Sequence, residues 1–170
     1  MVTVILLAHL TKFPFALASD IARESDLIVV AEPGRNSYMP VIKRVIGSRT
    51  PVTLGEISLT PNPGHLAHSD IFYGVRSTMI LFLKRGKNGS PVWTPVDFLH
   101  DHIPLTGGKA SAKWCPLRDE NGNPAGSGVA VPTLLTFPAS LRYSRGKVRW
   151  QEIARCLQSM PGAPPKAAAR

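Results

Sequence analysis

Four of the five histidines fall in two short segments, and imidazole is the commonest metal ligand among protein side chains. His65 and His68 are separated by two residues in a Pro- and Gly-rich segment, and His100 and His102 flank Asp101. If the two segments meet at one end of the fold, these imidazoles could hold zinc, copper or nickel. The alternative is that loop histidines are solvated or cap turns, and no HExxH-type spacing favours a metal. These four histidines are the candidate metal ligands.

The chain contains no recognisable motif for nucleophilic catalysis or nucleotide binding. Gly126-Ser127-Gly128 lacks the spacing of a nucleophile elbow. Gly107-Gly108-Lys109 lacks the rest of a phosphate-binding loop and the helix that such a loop opens. The acidic residues are sparse and form no pair typical of glycosidases. The sequence therefore predicts a protein that is not an enzyme and has no cofactor.

The two cysteines, Cys115 and Cys156, allow a single disulfide. In an oxidising compartment, closing that loop would stabilise the fold by roughly 3–4 kcal/mol in the chain-entropy model. In a reducing cytosol, Cys156 is better interpreted as a buried helix residue. Neither cysteine has a CxxC partner, which disfavours a zinc or redox site built on them.

The N-terminal segment has the order of a signal peptide. The apolar run Val2–Leu10 is followed by Phe13-Pro14-Phe15 and by Ala16-Leu17-Ala18, which places small residues where signal peptidase reads them. Cleavage after Ala18 would leave Ser19 as the mature N-terminus. The region before the apolar run carries no Lys or Arg, so a cytoplasmic protein with an apolar first strand is the alternative. The run is too short to span a bilayer as a helix.

The net charge of +9 comes from 20 basic and 11 acidic residues that are dispersed along the chain. Such a charge could steer the protein towards nucleic acid, an anionic membrane surface or an acidic partner, but the dispersion of the basic residues favours a role in solubility alone. Gly and Pro are abundant, with 14 and 16 residues, which indicates many turns and few long helices.

Short apolar or alternating runs separated by turn residues predict a succession of strands. After a helical turn over Asp20–Ser25, Leu27–Ala31 and Thr78–Leu83 are continuous apolar runs, which are typical of buried strands. Asp101–Gly128 has little periodicity and is predicted to be a long loop. The other predicted strands are Met39–Ile46, Val52–Leu59, Val92–Phe98, short pieces within Val129–Phe137, and a hairpin over Leu141–Val148 with Gly146 at its tip.

The C-terminal part contains the clearest helix. Gln151–Met160 carries an apolar stripe at helical spacing, and Pro161-Gly162 ends it. We therefore predict a mainly β fold, a small antiparallel OB-like barrel of five to seven strands with a C-terminal helix; a sandwich is the alternative. A barrel is favoured because closure removes exposed strand edges. The predicted organisation is a signal peptide over residues 1–18, one domain over 19–160 and a disordered tail over 161–170.

Three segments resemble a known family. Ser25–Glu32 (SDLIVVAE), Val41–Gly47 (VIKRVIG) and Met79–Lys84 (MILFLK) are similar to strands of bacterial secreted domains of the netrin-like, tissue-inhibitor-of-metalloproteinase type of OB barrel. The resemblance covers about residues 20–100 and implies an OB barrel in an exported protein. Animal inhibitors of this type ligate the protease zinc through an N-terminal cysteine. Here the expected mature start is Ser19-Asp20, so that chemistry is not implied.

The leading functional hypothesis is an exported, non-enzymatic binding or interaction domain, periplasmic or secreted, whose partner is a protein or an envelope surface. The alternative from another class is a cytoplasmic OB protein that binds single-stranded nucleic acid, with Tyr38 and Tyr73 as stacking residues. The predicted third strand, Val52–Leu59, carries no aromatic residue, which disfavours that alternative. A metal-dependent site on the histidine loops is the third hypothesis.

Overall fold

A computed structural model describes residues 15–61, 74–86, 90–96, 102–111, 134–137, 141 and 147–166. Strands predominate among them, and the two helices are short. No helix of these ranges is long and apolar enough to cross a membrane. In chain order the elements are β1 Phe15–Leu17, α1 Ala18–Glu24, β2 Leu27–Glu32, β3 Val41–Ser48, β4 Gly55–Glu56, β5 Ser58–Leu59, β6 Met79–Arg85, β7 Val92–Pro95, β8 His102–Pro104, β9 Lys109–Ser111, β10 Leu134–Thr136, β11 Lys147–Arg149 and α2 Trp150–Gln158.

Strands β2 and β6 form the centre of a seven-stranded sheet. They pair antiparallel from Leu27 opposite Leu83 to Ala31 opposite Met79. Residues of both strands are buried on both faces of the sheet, which explains why their sequences are continuous apolar runs rather than alternating ones. The sequence predicted both strands to within two residues.

The segment Gly55–Leu59 joins the two sides of the sheet. Its first part, β4, pairs antiparallel with β3, and its second part, β5, pairs parallel with β7. Because β3 lies beside β2, and β7 lies beside β6, this segment turns the sheet into a nearly closed barrel. The backbone N–H of Leu59 also donates to the Tyr38 carbonyl oxygen at 2.8 Å. The predicted mainly β, OB-like barrel with a C-terminal helix is confirmed.

Two apolar clusters pack on opposite faces of β2 and β6. Inside the barrel, Leu27, Leu81 and Leu83 are buried with Leu59. On the outer face, Phe82 and its neighbours contact helices α1 and α2. A fully buried side chain of this size contributes roughly 1.5–3 kcal/mol through the apolar area that it removes from water. The outer cluster comprises Ala18, Ile21, Ala22, Ile28, Val30, Ile46, Ile80, Phe82, Ile103, Leu105, Ala110, Phe137, Leu141, Val148, Ile153, Ala154, Leu157 and Met160.

Helix α2 places Ile153, Ala154 and Leu157 on its buried side, as the apolar stripe predicts. Gln158 at its C-terminal end donates from Nε2 to the Ile46 carbonyl oxygen at 2.7 Å. Gly162, with φ of 75°, then turns the chain back towards the barrel.

Residues 161–166 lie against the end of β3, where the sequence predicted the start of a disordered tail. The Ser48 N–H donates to the Pro165 carbonyl oxygen at 2.9 Å, and Pro164 is buried. The Pro and Gly residues of this segment are typical of a disordered tail. In the structure, the turn at Gly162 places the segment against β3. Residues 167–170 lie outside the described ranges.

The predicted long loop Asp101–Gly128 is wrong for two segments, because β8 and β9 lie within it. β8 pairs with β6, and β9 pairs with β11, which follows it by more than 30 residues. Strands of three residues carry too little periodicity to be recognised locally. The predicted hairpin Leu141–Val148 stays a prediction, because residues 142–146 lie outside the described ranges; Lys147 and Val148 belong to β11, which pairs with β9.

The end of the predicted signal peptide is part of the described fold. β1 pairs parallel with β10, and α1 begins at Ala18, which is completely buried in the outer cluster. Cleavage after Ala18 would therefore remove β1 and one core methyl group. The signal peptide itself stays a prediction.

Candidate functional site: a cationic face on the β9–β11 ribbon

Strands β9 and β11 form a two-stranded antiparallel ribbon beside the barrel. Ala110 and Val148 are register partners, and both side chains are completely buried. Because side chains alternate along a strand, Lys109, Lys147 and Arg149 lie on the opposite, exposed side. We call this side, defined by these three residues, the cationic face.

Arg149 and Lys109 are direct register partners across the ribbon. Side chains at such positions start about 5 Å apart, and two like charges there destabilise a sheet. Neither residue forms an ion pair with any described residue, and the same is true of Lys147. Glu152 is the nearest acid along the chain, and it also forms no ion pair with them. Within the described part of the chain, the positive charge of this face is uncompensated.

Trp150 lies at the end of the cationic face where α2 begins. Its backbone N–H donates to the Gly108 carbonyl oxygen at 3.0 Å, which ties the start of α2 to the turn before Lys109. The indole ring lies over Gly108, since a Cβ on that glycine would be 3.6 Å from Trp150 Cδ1. The side chain is half-buried, and its ring packs against the outer cluster. A half-buried amphipathic ring thus lies at the end of the ribbon that carries the register pair Lys109 and Arg149.

The outer side of the barrel near β3 has a different charge balance. Lys43 lies 3.4 Å from Glu32, and Arg35 donates from Nε to Glu56 Oε2 at 2.9 Å. The Arg35 hydrogen bond to the Glu56 carboxylate lowers the pKa of that group and raises the pKa of Arg35. Arg44 is exposed and forms no ion pair with a described residue. Most of the cations on this side are therefore neutralised locally.

The aromatic residues considered for base stacking are distributed unevenly. Tyr38 is half-buried and packs against the barrel interior, as does Trp93 on β7. Tyr73 lies outside the described residues. Among the described residues near β3 and β7, the structure therefore shows no pair of exposed aromatic rings on which bases could stack.

The structure describes one of the four candidate metal ligands. His102 lies on β8, half-buried, in register with Leu81 of β6. His65, His68 and His100 lie outside the described residues, so the proposed meeting of the two loops stays a prediction. Within the described ranges, no group of three His, Cys, Asp or Glu side chains could hold a metal ion.

Cys156 is a free thiol on α2 and packs against the outer cluster. Burial raises the pKa of this thiol above its usual value. Cys115 lies outside the described residues, so the Cys115–Cys156 disulfide stays a prediction.

Sequence reasoning missed the cationic face because its strands are short and far apart in the chain. The alternation of Lys147, Val148 and Arg149 was a usable signal for a half-exposed strand. Its partner Lys109 lies in a segment that the sequence assigned to a loop. Only the pairing of the two strands brings the three cations together.

No family model matches the chain, and searches of the curated proteins and of the solved structures return no significant match.

Proposed function

We propose that this protein is an exported, non-enzymatic binding domain in which an OB-like barrel carries a cationic contact surface. Its ligand is anionic and belongs to the cell envelope, as a surface or as an acidic protein. The observation that carries the proposal is the register pair Arg149–Lys109, two exposed cations without a described counter-ion on one ribbon.

The energetics of that pair support a binding role. Two like charges directly opposite each other cost stability, whereas an anionic ligand converts the same repulsion into favourable contacts. The buried partners Ala110 and Val148 fix the ribbon against the outer cluster. The cations are therefore presented on a packed element, which lowers the entropy cost of binding.

Export is part of this proposal, and its support is the apolar run and the small residues that precede Ser19. The test is the intact mass of the native protein, isolated separately from the cytoplasmic and envelope fractions. A chain beginning at Ser19 in the envelope or culture fraction is the expected result. A full-length chain confined to the cytoplasm would overturn export.

A second candidate is binding of single-stranded nucleic acid, and the OB-like barrel itself favours it. Arg44 on β3 forms no ion pair with a described residue, but the neighbouring Lys43 and Arg35 are paired with Glu32 and Glu56. The two candidate functions predict that different arginines are needed for binding: Arg149 on the ribbon for the first, and Arg44 on β3 for the second. Salt-sensitive oligonucleotide binding that is lost in R44Q and kept in R149Q would support the nucleic-acid alternative; no salt-sensitive oligonucleotide binding by the full chain would contradict it.

A further inference from the structure

We propose that the cationic face binds the phosphate groups of an anionic phospholipid bilayer, with Trp150 at the level of the headgroups. This inference rests on the proposed function, because it specifies the anionic ligand of the same surface. It names Lys109, Lys147 and Arg149 as the phosphate-binding residues.

The three residues of the cationic face are closely spaced on the ribbon. Lys147 and Arg149 are two residues apart on one side of a strand, so their Cα atoms are about 7 Å apart. Lys109 lies across the ribbon from Arg149. The Cα atoms of these residues are thus spaced by about one Debye length or less, about 8 Å at physiological salt, so the three cations act together on a surface that carries many phosphates.

The residue that follows Arg149 in the chain is a tryptophan, Trp150. Trp is enriched where the polar and apolar layers of a membrane meet, because its ring is apolar and its N–H is a donor. The half-buried Trp150 ring lies over Gly108, in the turn before Lys109. Cations and a half-buried indole on one edge of a domain suit peripheral contact with headgroups rather than deep insertion.

A bilayer and a single nucleic-acid strand require different protein surfaces. Single strands are held in a groove by several aromatic rings on which successive bases stack. The cationic face is the outer side of a two-stranded ribbon with one half-buried ring, and the half-buried Tyr38 and Trp93 pack against the other cluster, inside the barrel. Charge complementarity to a broad phosphate surface is the better fit.

The test is co-sedimentation of the purified full chain with vesicles of phosphatidylglycerol in phosphatidylcholine, and with phosphatidylcholine alone. The test variant is K109Q/R149Q. The matched control is R44Q/R76Q, which removes the same charge from two exposed arginines elsewhere and leaves the ribbon intact. Thermal unfolding of each variant verifies that it is folded.

We expect binding to the phosphatidylglycerol vesicles and not to phosphatidylcholine alone. Each basic residue near an anionic surface contributes about fivefold to affinity, so K109Q/R149Q is expected to weaken binding about 30-fold. Its melting temperature should stay the same or rise, because the like-charge pair is removed. The control variant should bind within about twofold of the parent chain.

A separate readout reports Trp150. Brominated phosphatidylglycerol is expected to quench part of the tryptophan fluorescence of the bound protein, and this part should be lost in W150F. Quenching that is unchanged in W150F would overturn the placement of Trp150 at the headgroups.

Three results would overturn the binding proposal: no binding to anionic vesicles, equal weakening in both charge variants, or tighter ribbon-dependent binding to a single-stranded oligonucleotide than to vesicles. These outcomes are independent of the intact-mass measurement. An uncleaved cytoplasmic chain would overturn export, whereas the vesicle result alone decides the ligand of the cationic face.

Discussion

Arg49 and Gly162 are 113 positions apart in the chain, and the Arg49 guanidinium donates a hydrogen bond to the Gly162 carbonyl oxygen. The same guanidinium donates to the carbonyl oxygens of Arg23, at 2.9 Å, and Ser25, at 3.1 Å. One side chain thus connects the end of α1, the segment after β3 and the C-terminal turn. The planar guanidinium can satisfy several acceptors at once, which an ammonium group cannot do in this arrangement.

We predict that R49A lowers the free energy of unfolding by about 2 kcal/mol, since it removes charge-assisted hydrogen bonds whose acceptors are partly rehydrated. R49K should recover only a minor part of this loss. Urea denaturation of the full chain measures both values. R44A is the control, because Arg44 is an exposed neighbour on β3 without a described partner; it should stay within about 0.5 kcal/mol of the parent. Equal effects of R49A and R44A would contradict the connecting role.

Gly47 is the contact point between β3 and the C-terminal segment. A Cβ at this position would lie 2.6 Å from the Pro164 carbonyl oxygen, so the backbone of the segment must move. We predict that G47A destabilises the fold by about 1–3 kcal/mol through this overpacking. The same substitution in a chain lacking residues 163–170 is the control, and there most of the cost should disappear. If G47A destabilises the shortened chain as much as the full chain, the destabilisation does not arise from contact with Pro164.

Cys156 should react slowly in the folded protein. Only the thiolate is nucleophilic, and burial raises the pKa of this thiol, so less thiolate is present at a given pH. In reduced C115S, iodoacetamide should modify Cys156 more slowly before unfolding than in urea. The native pH–rate profile should also be shifted to higher pH. A native rate equal to that of the unfolded chain would contradict the half-buried position.

The Arg35–Glu56 pair should make stability depend on acidic pH. The Arg35 hydrogen bond lowers the pKa of Glu56 in the folded protein, so its contribution is present above the unfolded value of about 4.3 and is lost as pH falls through the lowered pKa. E56Q should therefore flatten the decline of the melting temperature on the acid side. E32Q is a comparison variant. The Glu32 carboxylate lies 3.4 Å from the Lys43 ammonium group, which is a longer contact than that between Arg35 and Glu56. An unchanged acid profile in E56Q would contradict this assignment.

The sequence by itself determined the elements whose local pattern and burial agree. The apolar runs of β2 and β6 are typical of buried strands, and the stripe of Ile153, Ala154 and Leu157 is typical of a helix with one buried side; the structure has both. Turn residues between these segments indicated a mainly β chain with many short strands. These features depend on neighbours within a few residues, which the sequence displays directly.

Tertiary structure alone decided how distant segments meet. Closure of the barrel depends on Gly55–Leu59 pairing with two different strands, and no local period encodes a parallel pair between β5 and β7. The C-terminal segment lies on β3 because Gly47 leaves room for Pro164. Lys109 and Arg149 lie opposite each other only through the register of two three-residue strands. Such contacts are selected by the packing of the whole chain. The sequence contains Lys109, Lys147 and Arg149, but only the pairing of β9 with β11 places them on one surface.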